Sequence, residues 1–362
     1  MKIQTTKETL LNNIQIVQNI VTPRVSLPIL SNILLETIDK KLKLTTTDLD
    51  VGISCEYPIE VIESGAITVP TKRFADIIRE LPEGQVTITT RKNNMVDIQM
   101  ETCEFKIMGL PKEEFPKLPE FKDKEAIKIE QTTLKEMLLK TSFAISHEEA
   151  RYVLNGLLFK IENNKIYFIA TDGRRLALIE KKLIDTTQKS INIIIPSKTI
   201  TELNRNLKEE GELSVILGEN QVLFDLGEVI IISRLIEGEF PDYRQVVPAE
   251  QKDKIKINRE RLLSAVKRAA LLSTQDYQAV KLEVFKNKLV VSKSTPDVGE
   301  SREELESEYV GKELIIGFNP AYIIDVLKNL QDEIVNLEIS DSEKPGIIRS
   351  DGYLYIVLPM KI

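Results

Sequence analysis

Residues 127–146 read IKIEQTTLKEMLLKTSFAIS, and the same design stands at 2–21 as KIQTTKETLLNNIQIVQNIV and at 255–273 as IKINRERLLSAVKRAALLS. Each copy opens on a short run of alternating apolar and polar residues. A polar Thr or Asn then stands where a helix would be capped, and apolar residues follow at helical spacing. A strand feeding an amphipathic helix is therefore written three times in 362 residues. Repetition on this scale fixes architecture before any single element does.

Working outward, each helix is followed by a strand, a turn and a strand: NILLETIDKKLKLTTTD, GLLFKIENNKIYFIATD and VKLEVFKNKLVVSKSTPD. The turns at Asp39-Lys40-Lys41, Asn163-Asn164-Lys165 and Lys286-Asn287-Lys288 have hairpin chemistry. A second half then opens with a strand running into proline at a helix start, in AITVPTKRFADIIRELP, INIIIPSKTITELNRNL and LIIGFNPAYIIDVLKNL. Proline is tolerated in a first helical turn because its missing N–H would be unpaired there. Glu114-Phe115-Pro116 and Glu239-Phe240-Pro241 close the first two units, and YLYIVLPMKI closes the third. The expected fold class is α+β, with three domains at 1–120, 121–250 and 251–362, each internally doubled. Helices are expected at 7–21, 71–81, 132–146, 197–208, 258–271 and 320–330. The period exceeds that of a solenoid and each unit can build its own core, so a ring or arc of domains is expected.

Composition narrows the function. The chain is 42% apolar, and no run approaches the roughly 18 apolar residues of a membrane span. A cytoplasmic protein without membrane association is expected. Cys55 and Cys103 lie far apart without C-x-x-C spacing, which supports neither a disulfide framework nor a zinc site. The single histidine, His147 in HEEAR, reads as an exposed polar residue. One histidine is a poor allotment for proton shuttling. No glycine-rich phosphate cradle of known pattern occurs, and no cofactor is expected. Thr47-Asp48-Leu49-Asp50 and Thr171-Asp172-Gly173 resemble carboxylate pairs that hold magnesium. Both follow alternating strands at equivalent repeat positions, with Thr295-Pro296-Asp297 in the third unit, so a strand-ending turn explains all three. The alternative from another class is a metal-dependent nuclease using Asp48, Asp50 and Asp172.

The formal charge of -7 argues at first against a nucleic-acid partner. Its distribution reverses the inference. The six helical stretches hold fourteen basic and seven acidic residues, so the helices are positive while the rest of the chain is strongly acidic. A closed assembly would set equivalent helices on one surface, and a positive lining inside an acidic exterior suits a channel for a polyanion. No aromatic platform accompanies the charge, so phosphate contact independent of base sequence is expected.

In LPILSNILLE, TDLD, LNGLLF, TDGRRLAL, EGEFPDYRQVVP, STPDVGE and YLYIVLPMKI the chain resembles the bacterial sliding clamps, the beta-subunit family of DNA polymerase III. The resemblance runs along the whole length. It implies a non-catalytic processivity factor, a head-to-tail homodimer forming a ring around duplex DNA with helices lining the hole. It further implies a pocket, between the second and third domains, for short motifs of the replicative polymerase, the clamp loader and other clamp-binding proteins. The implied walls are Leu154, Thr171, Gly173, Arg174, Arg175, Leu176, Pro241, Val246, Tyr322, Ile356, Val357, Leu358, Pro359 and Met360. Arg174 stands where a histidine is common, Gln245 where a basic residue is common and Leu358 where methionine is common. Implied DNA contacts are Arg24, Lys72, Arg79 and Tyr152, to which the basic helices add Lys198, Arg205 and Arg268. The dimer would close through Phe105 and Ile107 against Leu271 and Leu272, with Glu300, Glu303 and Glu304 available to Arg73. Thr102 and Glu104 occupy places where the family often carries arginine.

Overall fold

The computed structural model describes residues 1–21, 27–121, 124–183, 190–250 and 254–362. Among these, six α-helices occur: α1 (Lys7–Val17), α2 (Thr71–Glu80), α3 (Gln131–Thr141), α4 (Ser197–Asn206), α5 (Arg259–Ala270) and α6 (Pro320–Asn329). The expected helices ran longer at α1 and α3, where the last turn tightens to a 3₁₀ segment at Gln18–Ile20 and Ser142–Ala144. The caps follow the residue types. Thr6 accepts from the Thr9 amide at 3.1 Å, Asn258 from Arg261 at 3.0 Å and Asn319 from Ala321 at 3.0 Å.

The prolines divide into two roles. Pro320 is the first residue of α6, as the pattern required. Pro70 and Pro196 instead end strands Ala66–Pro70 and Ile191–Pro196 just before α2 and α4. Both strands are sheet edges, where proline's missing donor breaks no ladder.

The chain packs as two compact units: Met1–Thr132 with Thr201–Leu235, and Thr133–Ile200 with Ile236–Ile362. The first holds a five-stranded sheet, ordered Glu60–Glu63, Lys2–Thr6, Gln85–Thr90, Met95–Met100, Cys103–Met108. It also holds an eight-stranded sheet, ordered Ala126–Glu130, Glu212–Leu217, Gln221–Asp225, Val229–Arg234, Val51–Pro58, Lys41–Thr47, Asn32–Ile38, Ala66–Pro70. The second unit has its own eight strands, ordered Ile191–Pro196, Gly156–Glu162, Lys165–Thr171, Arg175–Lys182, Tyr353–Val357, Gly346–Ser350, Ile334–Glu338, Lys254–Asn258. Its smaller sheet runs Gly299–Glu306, Lys288–Thr295, Val280–Phe285, Leu314–Phe318. Pairing is antiparallel in both. The hairpin turns predicted from sequence carry left-handed residues: Asp39, Asn163, Asn164 and Asn287 have φ of 50–58°.

Packing thus cuts across the sequence repeat, because backbone pairing joins strands from neighbouring copies into one sheet. Gly52 stands opposite Ile232, and 124 residues further on in both strands Leu176 stands opposite Ile356. The two junctions are therefore copies in register. In the first unit α1 packs on α2 and on strands Lys41–Thr47 and Val51–Pro58, burying Leu10, Ile14, Phe74 and Ile78 completely. In the second, α5 packs on α6 and on the smaller sheet. Each such apolar side chain contributes roughly 1.5–3 kcal/mol on burial.

Candidate functional site

Residues 171–175 form a side-chain-locked turn between strands Lys165–Thr171 and Arg175–Lys182. Asp172 Oδ1 accepts from the amides of Arg174 (2.9 Å) and Arg175 (3.0 Å), and Thr171 Oγ1 donates to Arg175 O at 2.6 Å. Gly173 takes φ of 83°, a region open to glycine at little cost. The TDLD turn repeats this pattern: Asp48 Oδ1 accepts from Asp50 (3.1 Å) and Val51 (2.7 Å). Asp50 lies 3.8 Å from Arg234. A turn role thus accounts for the carboxylates that resemble metal ligands, and none of the comparisons below names a nuclease.

Arg175 holds the second turn in place. Its Nε donates to Asp172 Oδ2 (3.0 Å), one terminal nitrogen to Asp325 Oδ2 (2.7 Å) and the other to Phe143 O (2.6 Å). The guanidinium stacks 4.4 Å from the Tyr322 ring centroid, and the side chain is only 10% exposed. Burial alone would lower its pKa, but Tyr355, Asp325 and Asp172 together outweigh that and raise it. Arg175 is therefore scaffold: every nitrogen is used inside the chain. Arg174 points outward, with Glu148 3.9 Å away.

A cleft of about 210 Å³ opens beside this turn, lined by Leu154, Thr171, Gly173, Arg174, Arg175, Leu176, Pro241, Asp242, Tyr243, Val246, Ile356 and Leu358. Ten of the fourteen expected wall residues come together here. Tyr322 instead backs Arg175, and Val357 is buried in its strand opposite Arg175. Pro359 and Met360 lie beyond the cleft, and Met360 bridges to Gly317. Asp242 and Tyr243 line the cleft but were not expected; they adjoin Pro241 in the motif EGEFPDYRQVVP, which was the available signal. Beneath lies an apolar cluster that includes Leu158, Ile169, Leu176, Leu354 and Ile356.

The first unit shows what makes the cleft. Its equivalent of Leu176 is Gly52, and Leu118 sits so close above that a Cβ there would meet its Cδ2 at 2.5 Å. The equivalents of Arg174 and Leu358 are Asp50 and Arg234, which form the 3.8 Å ion pair noted above. The same scaffold is plugged by a leucine and a charge pair.

The remaining expected residues are dispersed. Arg24 lies outside the described residues. Lys72 and Tyr152 are exposed, and Lys198 is half-buried on α4. Arg79 pairs with Asp76 at 2.7 Å and Arg205 with Glu202 at 2.6 Å. Arg268 forms a two-pronged pair with Glu303 at 2.6 and 2.9 Å, which ties it to the edge strand Gly299–Glu306. Glu304 pairs with Arg302 at 2.7 Å, and Glu300 accepts from Ser294 at 3.1 Å. Arg73 is exposed on α2. Leu271 (81% exposed) and Phe105 (39%) are open apolar residues as expected, and Leu272 is half-buried. Ile107 is not open: at 5% exposure it faces its own sheet. Its neighbour Met108 is exposed at 55%, since adjacent strand residues face opposite sides.

Three profiles of the DNA polymerase III beta subunit match in series: the N-terminal domain over residues 1–119, the central domain over 128–242 and the C-terminal domain over 244–361. Whole-length similarity agrees, and the chain belongs to this family, the beta sliding clamps. The beta sliding clamp of Chlamydia muridarum is 34% identical, with 100% of this chain and 99% of the relative covered. That of Escherichia coli strain K12 is also 34% identical, with both chains covered in full. Among solved structures, the sliding clamp of Pseudomonas aeruginosa bound to griselimycin superposes with a TM-score of 0.95 at 33% identity, covering 100% of both chains.

Proposed function

We propose that two copies of the chain close head to tail into a ring around duplex DNA. In this reading the cleft beside residues 171–175 captures short segments of the replicative polymerase, the clamp loader and other DNA enzymes. Those partners supply the catalysis; the clamp supplies topology. The cleft carries the reading. At about 210 Å³ it is smaller than the ~300–1,000 Å³ typical of small-molecule sites and suits a few apolar side chains of an extended segment. Micromolar affinity, about -8 kcal/mol, needs no more than two or three such anchors.

Two open sheet edges support ring closure. Strand Cys103–Met108 ends the five-stranded sheet and Gly299–Glu306 ends the smaller sheet of the second unit. Unpaired edges of this kind invite pairing with another chain. Phe105 and Met108 stand out on the first, Leu271 and Val298 close to the second. Direct affinity for DNA is expected to be weak, since Arg79, Arg205 and Arg268 already have carboxylate partners and the chain is acidic overall.

The deciding experiment loads the protein on closed circular DNA and raises the salt to about 1 M, where charges beyond roughly 3 Å are screened. Retention is expected on circles, and prompt loss once the DNA is cut. Equal loss from circles and linear DNA would overturn encirclement. Griselimycin is expected to bind the purified chain with micromolar or better affinity, and removing residues 358–362 should abolish that binding while the dimer persists. Binding that survives the deletion in a folded protein would remove the cleft from this account. Magnesium-dependent DNA cleavage lost in Asp172→Asn would favour a nuclease instead.

A further inference from the structure

The tail that walls the cleft is fastened at two points. Leu358, 45% exposed on the cleft rim, donates its N–H to Arg174 O at 2.9 Å. Two residues on, the Met360 N–H donates to Gly317 O at 2.8 Å, in an antiparallel bridge to strand Leu314–Phe318. That strand is the far edge of the smaller sheet, so the tail adds to an edge that would otherwise be open. Only Pro359 separates the two anchors, and its ring fixes φ, leaving little slack.

Gly317 is what admits the tail. Its backbone is ordinary strand, paired with Lys281, so the fold asks for no left-handed turn there. A Cβ at this position would stand 2.8 Å from the Met360 carbonyl oxygen and 2.8 Å from Ile362 Cγ1. The first contact is with backbone, which cannot rotate away as a side-chain tip does. Any side chain at 317 must therefore displace the tail from its present seat on the edge.

We propose that Gly317 is a positioning residue for the cleft. By letting residue 360 dock on the sheet edge, it holds Leu358 at the rim in the conformation a bound segment meets. The inference rests on the reading of the cleft as a peptide site. Without the strap, residues 358–362 would have to be ordered at the moment of binding, and that ordering would be subtracted from affinity. Met360, expected from sequence as a wall, then acts as an anchor.

The test uses the full-length protein and griselimycin as probe, measured by titration calorimetry, with hydrogen exchange at the Leu358 amide as a second readout. Gly317→Ala is expected to weaken binding about tenfold and to accelerate exchange at Leu358, with dimer mass unchanged. Met360→Pro, which removes the donor from the tail side, should do the same. The double variant should bind no worse than the weaker single, since both cut one contact. Should Gly317→Ala fail to fold, Met360→Pro decides alone. If Leu358→Ala weakens binding while Gly317→Ala and Met360→Pro change neither affinity nor exchange, the inference fails and the cleft reading stands. If the unaltered protein does not bind the probe, both fall.

Discussion

Replacing Leu271 and Leu272 together by alanine is expected to convert a dimer of about 82 kDa, twice the 41.2 kDa chain, into single chains at low micromolar concentration. Leu271 is 81% exposed at the end of α5, and Leu272 is half-buried beside it. A head-to-tail ring has two interfaces, so each substitution acts twice. At the lower end of about 1.5 kcal/mol per leucine side chain removed from water, the two positions sum to roughly 6 kcal/mol per ring. Every ~1.4 kcal/mol is tenfold, so the dissociation constant should rise by about four powers of ten. In the proposed ring the apolar contact should outweigh ion pairs, because Glu303 and Glu304 are already engaged by Arg268 and Arg302, and Glu104 by Lys106 at 3.0 Å. Sedimentation at several protein concentrations reads this directly. An unaltered chain that sediments as a monomer throughout would sink the ring.

Arg175→Ala should be the most damaging single change near the cleft, although the side chain is nearly hidden from it. Removing the guanidinium leaves the carboxylates of Asp172 and Asp325 and the Phe143 carbonyl without their shared donor. Breaking a buried pair by deleting one partner costs about 3–5 kcal/mol. Asp325 is 35% exposed, so the lower figure applies. For a body of this size about 3 kcal/mol lowers the melting temperature by roughly 6–12 °C. Griselimycin binding should fall with it, since the turn at 171–175 loses its brace. Arg175→Lys should recover little, because one ammonium cannot span three acceptors set in a fork. Arg174→Ala, at an exposed side chain, should leave the melting temperature within about 1 °C. Calorimetry on the three variants separates scaffold from contact; an unchanged melting temperature in Arg175→Ala would reject the assigned role.

The residues themselves determined a good deal. Short-range chemistry was legible throughout: Thr6, Asn258 and Asn319 cap helices, Asn163, Asn164 and Asn287 turn hairpins, and Thr-Asp pairs end strands because their side chains bond their own backbone. These effects act within three or four residues, so the sequence contains all their partners. The threefold repeat followed in the same way, from copies of one local pattern. Tertiary structure decided what depends on partners far along the chain. Arg175 is scaffold and Arg174 surface, and nothing in the dipeptide tells them apart; Asp325, 150 residues away, does. Ile107 is core and Met108 surface because the sheet fixes which face each takes. Leu118 on Gly52 closes one copy of the junction, while Leu176 and the tail leave the other open. Met360 lies outside the cleft lining because its backbone pairs with Gly317, 43 residues back in the chain. In each case the local sequence is compatible with both outcomes, and a packing or pairing partner distant in the chain selects one.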